Sequence, residues 1–347
     1  MTAGFLNKAY ATASKLTEDI TDGVDTKTGR ATFDAHIRHM QLHTLLRGGY
    51  PLILGTDEDD AKPYHIYSRI HGDPERDYNN FQLDMTYYFQ GPGNYRDVNQ
   101  NRRCDVLQEP RVGDFNVRTF LALTQADGYN PLTVNGAVFV LKEHERKQVA
   151  AQAAAANASE IEEMLVGQLR PGTLFKRLKA KGVELAVSKD EFVDLVVGAG
   201  EEVPSAVYAQ DGFWADHWTY DLDQLDSYLA IFPDKEEEFL WESAPVPFYQ
   251  SPGRVVPREK KYVLKDAAKG LVRQFGSVVK DETKVELLKS REHKPDGGTW
   301  QTCNGTDTQF TTAPIGKLVL LCVVKFAMLD PAGMGVEMEA GKPGWND

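Results

Sequence analysis

Basic residues are in deficit. The chain has 39 Lys and Arg against 51 Asp and Glu, a formal net charge of −12 over 347 residues. An acidic chain with no basic block lacks the bulk charge that holds nucleic acid or an anionic lipid surface. Cysteine is scarce as well. Cys104, Cys303 and Cys322 are too few and too scattered for a disulfide framework or a zinc knuckle. They point to reduced thiols and a cytoplasmic setting. The opening MTAGFLNKAYATASKLTED has no continuous apolar stretch of the secretory kind. The most apolar run, Ile315 to Leu329, is interrupted by Lys317 and Lys325. It is shorter than the ~20 apolar residues a membrane span needs, so it predicts a buried core helix and no membrane partner. Internal repeats are not visible.

What remains is a globular composition, 41% hydrophobic and 26% charged. At about 150 residues per domain, the length fits two domains or one large one. Helix signals dominate the pattern. His36 to Leu46 is helix-like and is broken by Gly48, Gly49 and Pro51. Asp114 to Ala126 predicts a helix with Asp114 as N-cap. Glu143 to Gly167 is Ala-rich and charged, with a thin apolar stripe, and predicts a surface helix or helical hairpin. Ser188 and Glu191 form an S-x-x-E capping box that opens a helix through Val197. Leu222 to Phe232 predicts another helix, stopped by Pro233. Val263 to Val279 has strand character. Paired helices joined by long, residue-rich loops are the pattern of a mainly α fold, an α/α barrel or toroid with some short strands.

Three clusters carry candidate chemistry. His36, His39 and His43 lie at i, i+3 and i+7 on one helix face. Three imidazoles can hold a metal, but the acidic partner of an H-E-x-x-H site is missing, so a partly buried hydrogen-bonded face is favoured and no metal is assigned. Residues 71–103 are the densest in polar and aromatic groups. Arg76, Asp77, Arg96, Asp97, Asn99 and Gln100 surround a Gly91-Pro92-Gly93-Asn94 turn, with Tyr78, Phe81, Tyr87 and Tyr88 interleaved. Asp, Asn and Arg read sugar hydroxyls in pairs, and aromatic faces stack on the apolar side of a pyranose. A solvated, salt-bridged loop would not need so many Asn, Gln and Tyr residues, so a sugar-binding loop is favoured. Residues 211–223 repeat the mixture, with Asp216, His217 and Trp218 at their centre. A core-packing role competes evenly there.

These segments, in this order, resemble the cellobiose phosphorylase group of glycoside phosphorylases. Gly93-Asn94-Tyr95-Arg96-Asp97-Val98-Asn99-Gln100 is similar to the group's G-F-R-D-S-N-Q-D loop. Ala215-Asp216-His217-Trp218 is similar to its D-D-H-L-W segment, and Gly344-Trp345-Asn346-Asp347 to its D-W-N-D loop. The resemblance covers residues 65–347, with the identities confined to these loops. It implies an (α/α)6 barrel of the six-hairpin glycosidase kind, incomplete here, with residues 1–64 as a lead-in and 143–200 as a helical insertion. It also implies inverting phosphorolysis of a β-glucoside such as cellobiose, with inorganic phosphate as co-substrate and no other cofactor. Asp347 would be the general acid. Arg96 and Asp97 would hold the glucosyl unit, and Trp345 would sit beside it. Two departures stand out. The group's second Asp after Asn-Gln is Asn101 here, and the chain ends at the presumed acid. The group's phosphate-binding groups lie beyond that point, so the chain reads as the middle of a longer enzyme and too short to act alone. The cut edge of a helical barrel exposes apolar surface and predicts aggregation or a homodimer. An inverting hydrolase, or a sugar-binding protein without catalysis, is the alternative.

Inversion at an anomeric carbon needs one carboxylic acid to protonate the leaving oxygen. A phosphorylase needs no base, because phosphate is already an anion. Asp347→Asn in a complete enzyme is therefore expected to abolish turnover while sugar binding persists. Steady-state phosphorolysis and calorimetry on the same variant check it, and unchanged turnover rejects the assignment.

Overall fold

The computed structural model describes residues 2–55, 61–66, 88–126, 128–131, 133–203, 206–207, 213–214, 218–250, 252–255, 262–274, 278–290, 312–327 and 339–340. It is mainly helical, with short strands. Helix α1 (Ala3–Thr21) is capped by Thr2, whose hydroxyl accepts from Phe5 N, and lies largely exposed. Helix α2 (Ala31–Gly48) packs against α1 and against α3 (Tyr95–Arg102). Strands β1 (Tyr50–Leu54) and β2 (Lys62–Ile66) form an antiparallel pair with Tyr50 opposite Ile66 and Leu54 opposite Lys62. This pair straddles residue 64.

The first core gathers around α3, α4 (Asp105–Gln108), α5 (Phe115–Ala122) and α10 (Trp218–Ile231). Tyr95, Val98, Phe120, Leu121, Leu225 and Phe239 meet there. Tyr95 and Phe120 pack edge to face with ring centroids 5.2 Å apart. The second core belongs to α6 (Glu143–Ala153), α7 (Ala158–Met164), α8 (Pro171–Lys181) and α9 (Lys189–Ala199). The expected helix over residues 143–167 is thus the helical hairpin α6–α7, divided before Ala158. A third cluster borders the second, sharing Phe175 with it. Tyr64 and Ile66 from β2 pack with Phe139, Val193 and Val197.

Very short strands tie distant segments together. Strand β3 (Gly93–Asn94) pairs with β5 (Thr133–Val134), which pairs with β8 (Ala206–Val207). Strand β4 (Asn130–Pro131) pairs with β9 (Phe213–Trp214), which pairs with β14 (Glu339–Ala340). Between them in sequence, β6 (Val138–Val140) pairs with β7 (Glu201–Val203). Further on, β10 (Gly253–Val255) pairs with β13 (Val278–Lys280), and β11 (Tyr262–Asp266) with β12 (Leu271–Gln274). Helix α11 (Glu282–Lys289) follows.

The two local cap signals came out differently. At α9, the Ser188 hydroxyl accepts from Glu191 N and the Glu191 carboxylate accepts from Ser188 N, a complete capping box. At α5 the expectation needs correction. Asp114 occupies the N-cap position but makes no cap bond, because its carboxylate accepts from Arg118 Nε instead. Helix α10 starts at Trp218, earlier than Leu222. The apolar run near residue 315 forms α12 (Pro314–Ala327), but this helix is not buried all round. Lys317 and Leu321 face inward, while Val319, Val323 and Phe326 are exposed. The inward lysine meets a backbone carbonyl and an aromatic face there. No helix among the described residues is long and apolar enough to cross a membrane.

The turn from α2 into β1 depends on glycine. Gly49 has φ +93°, and a Cβ there would lie 2.6 Å from the Cβ of His65. Gly49→Ala therefore meets both backbone strain and a collision on the paired strand. It is expected to lower unfolding stability by about 1–3 kcal/mol in a denaturant titration. Gly29→Ala, with open space at its Cβ, is expected to stay within about 0.5 kcal/mol of wild type.

Candidate functional site

The Gly93–Gln100 segment is placed by a strand-to-helix turn. Strand β3 delivers Asn94, whose side-chain oxygen accepts from Arg96 N and so caps α3. The first turn of α3 then presents Arg96 and Asp97. The guanidinium of Arg96 donates to Asp97 Oδ1 from Nε at 3.3 Å and from Nη2 at 3.2 Å. Asp97 is buried and Arg96 is partly open. A buried carboxylate fixes the orientation of a planar guanidinium beside it. Asn101 sits one turn on and donates its side-chain amide to Asp97 O at 2.6 Å. In this position it buttresses the helix turn rather than adding a second carboxylate.

Behind this turn lies a buried polar network. Asp221, on α10, accepts at Oδ1 from Tyr95 Oη at 2.9 Å and from Asn99 Nδ2 at 2.6 Å. Gln224, one turn along α10, donates to Asn99 O at 2.8 Å. Tyr95 Oη is also 3.1 Å from Phe120 O. Burial pushes the Asp221 carboxyl up to about 7, against the lowering pull of Tyr95, Asn99 and the positive charge of Lys317. Lys317 comes from α12. Its Nζ donates to Thr124 O at 2.8 Å and lies 3.4 Å from the centroid of the Phe248 ring. A buried ammonium is tolerated when it is hydrogen-bonded and sits on an aromatic face.

A cavity of about 540 Å³ opens elsewhere, between β2, the end of α3, α5 and β7. Its walls are partly apolar, from Val112, Phe115, Leu123 and Val246. Among its polar groups are His65, Arg102 and Glu202. His65 Nε2 lies 2.8 Å from Asp105 Oδ2, and the ring stacks on Phe115. Burial lowers the His65 pKa to about 4, helped by the Arg102 charge and opposed by Asp105. At neutral pH the ring is uncharged and donates its Nε2 proton to the carboxylate. Burial pushes the Glu202 carboxyl up to about 7, opposed by Arg102 and Lys62.

The sequence-derived site residues divide as follows. Arg96 and Asp97 stand together at the start of α3. Asn99 is fully buried and bonded to Asp221, so it supports the turn from behind and is not on a ligand-facing surface. Gln100 is exposed on the opposite side of that register. Trp218 opens α10, and its indole N–H is buried without an acceptor among the described residues. Arg76, Asp77, Asp216, His217, Trp345 and Asp347 lie outside the described residues. His36 and His39 are exposed rather than partly buried, and only His43 is half-buried, its ring stacked on His39. Among the described residues no group of three or more His, Cys, Asp or Glu is arranged to hold a metal. Sequence reasoning missed Lys317 as a core residue and Asp221 as a hub. The available signals were a lone lysine in an apolar run, and Asp221 and Gln224 at i, i+3 on one helix face.

No protein-family model matches the chain, and no curated protein matches it.

The raised carboxyl of Asp221 has a consequence for pH. Its pKa rises from 3.8 to about 7 on folding, so the native state holds this proton more tightly than the unfolded chain does. The stability it contributes is full below the unfolded value and is lost as pH rises through about 7. Asp221→Asn keeps an oxygen to accept from Tyr95 and Asn99 and has no charge to bury. Melting temperature measured from pH 4 to 8 is expected to shift in favour of the variant as pH rises. A difference constant over that range rejects the assignment.

Proposed function

We propose that the chain is part of a carbohydrate-active enzyme similar to the cellobiose phosphorylase group, built on an (α/α)6 helical barrel. Its reaction is inverting phosphorolysis of a β-glucoside, with Arg96 and Asp97 holding the glucosyl unit, Asp347 as general acid and phosphate as co-substrate. The observation that supports this reading is the pairing of the short strands. The three resembling segments are far apart in sequence, yet the strands beside them belong to two sheets built on the same stretch, residues 130–134. Strand β3 leads directly into Arg96 and Asp97 and pairs with β5. Strand β9 ends at Trp214, directly before Ala215, and pairs with β4. Strand β14, four residues ahead of Gly344, pairs with β9. A loop-borne site assembled from separate segments needs such convergence.

In this reading the Arg96 guanidinium donates to sugar hydroxyls while Asp97 holds it in place. The Tyr95–Asn99–Asp221 network keeps α3 in register beneath them. The acid must be protonated at rest, and apolar surroundings would raise its carboxyl pKa in the required direction.

Loss of a charge-assisted hydrogen bond costs about 1.5–3 kcal/mol. Arg96→Ala is therefore expected to weaken cellobiose or glucose binding by about 10- to 100-fold in calorimetry, and also to lower the melting temperature, because it leaves the buried Asp97 carboxylate without its partner. Sugar release from cellobiose by the complete enzyme is expected to require phosphate and to yield a sugar 1-phosphate. Release without phosphate identifies an inverting hydrolase, and binding without release identifies a non-catalytic sugar-binding protein. Absence of any sugar binding rejects the proposal.

A further inference from the structure

The cavity between β2, α3, α5 and β7 shares no residue with the Arg96–Asp97 turn, and its charge runs against that of the chain. Four cations line it, Lys62, Arg102, Arg111 and Arg118, against two carboxylates, Asp114 and Glu202, in a protein of net charge −12. Some of these charges are already committed. Arg118 donates to Asp114, and Arg111 to Glu109. Lys62 Nζ reaches the carbonyls of Val197, Gly198 and Gly200 at the end of α9.

Arg102 is different. It is only 6% exposed, and its Nε donates to Gly48 O at 2.6 Å. Neither Nη group donates to a described residue, and neither is sealed away from open space. Its charged neighbours are Asp105 and Glu202, but neither accepts a hydrogen bond from it, and Asp105 Oδ2 is taken by His65 and Asn116 within 2.9 Å. A guanidinium fork with two unengaged ends, held almost wholly out of water, is costly unless an anion meets it. The planar fork matches the two oxygens of a carboxylate or a phosphate.

We propose that this cavity binds a small organic anion, with its oxyanion seated on the Nη groups of Arg102 and its body against the Val112, Phe115 and Leu123 wall. Volume and lining both fit. Small-molecule sites typically enclose about 300–1,000 Å³, with apolar walls and a few placed polar groups. Glu202 sits beside Arg102, and in its protonated form it donates a hydrogen bond to a bound oxyanion. A phosphate ester and a carboxylate share this chemistry, and a body of monosaccharide size fits the space. This site does not depend on the sugar-cleaving reading given above.

Calorimetric titration of the purified chain with inorganic phosphate, glucose 6-phosphate, glucuronate and glucose tests it. Saturable binding of glucose 6-phosphate, of glucuronate or of both is expected, with glucose silent at the same concentration. The tighter of the two identifies the oxyanion. Arg102→Lys keeps the charge and loses the fork, and is expected to weaken binding at least about tenfold. Thr119→Trp fills the cavity from α5 without changing charge, and is expected to abolish binding. If circular dichroism shows that Arg102→Lys does not fold, Thr119→Trp alone decides. Absence of binding by all three anions overturns the proposal. So does glucose binding as tightly as the anions, or binding unchanged in Thr119→Trp. Arg96→Ala, which is expected to weaken cellobiose binding, is expected to leave this binding intact, so the two sites fail or stand separately.

Discussion

The carboxyl group of Asp221 is the point on which the first core depends. It ties α10 to α3 through Tyr95 and Asn99, and Tyr95 in turn reaches the backbone of α5. A few ångströms of hydrogen bonding thus fix three helices that come from distant parts of the chain. Lys317 adds a fourth element, because its bond to Thr124 O anchors α12 just past the end of α5. Each group is buried, so each depends on its partner being present. An unsatisfied polar atom in such a place costs about 1–3 kcal/mol, whereas a satisfied one contributes about 1. The network therefore defines the arrangement of the helices more than it adds to their stability.

This arrangement explains why the Arg96–Asp97 turn can be both exposed and rigid. Its outer face is a guanidinium held by a carboxylate. Its inner face, one helical turn along, is Asn99 bonded to Asp221 and Gln224. Side chains that read a ligand need such backing, since a small displacement of donors loses most of their binding energy. The cavity around Arg102 grows from the far end of the same helix. One short helix of eight residues therefore contributes to two separate places of interest.

Legibility in the sequence followed distance along the chain. The Ser188–Glu191 capping box involves neighbours, and it formed as read. The N-cap at Asp114 failed because Arg118, also nearby, competes for the carboxylate, and periodicity cannot rank two local partners. Helix α12 was legible as a helix but not in its orientation. Apolar residues occupy both of its faces, so the lysine that looked like an interruption could go inside, while Val323 and Phe326 stay outside. Asn99 looked like a sugar-reading amide because Asn beside Arg and Asp is the composition of such loops. Its true partner is 122 positions away, and no pattern in one sequence reveals it. The Arg102 cavity was equally hidden, since its lining comes from β2, α5, β7 and residues 245–247 together.

The strand pairings also set an order of events during synthesis. The core of α6 to α9 needs only residues between Leu141 and Val196, so it can close as soon as that stretch has left the ribosome. The bond from Lys317 to Thr124 spans 193 positions, and β14, which lies still later in the chain, must find β9 across more than a hundred positions. Contacts of such long range form late and slowly. Until they form, α3, α5 and α10 present their inner faces without α12 against them. The nascent chain thus passes through a stage in which one half is finished and the other waits, the stage at which large proteins turn to chaperones.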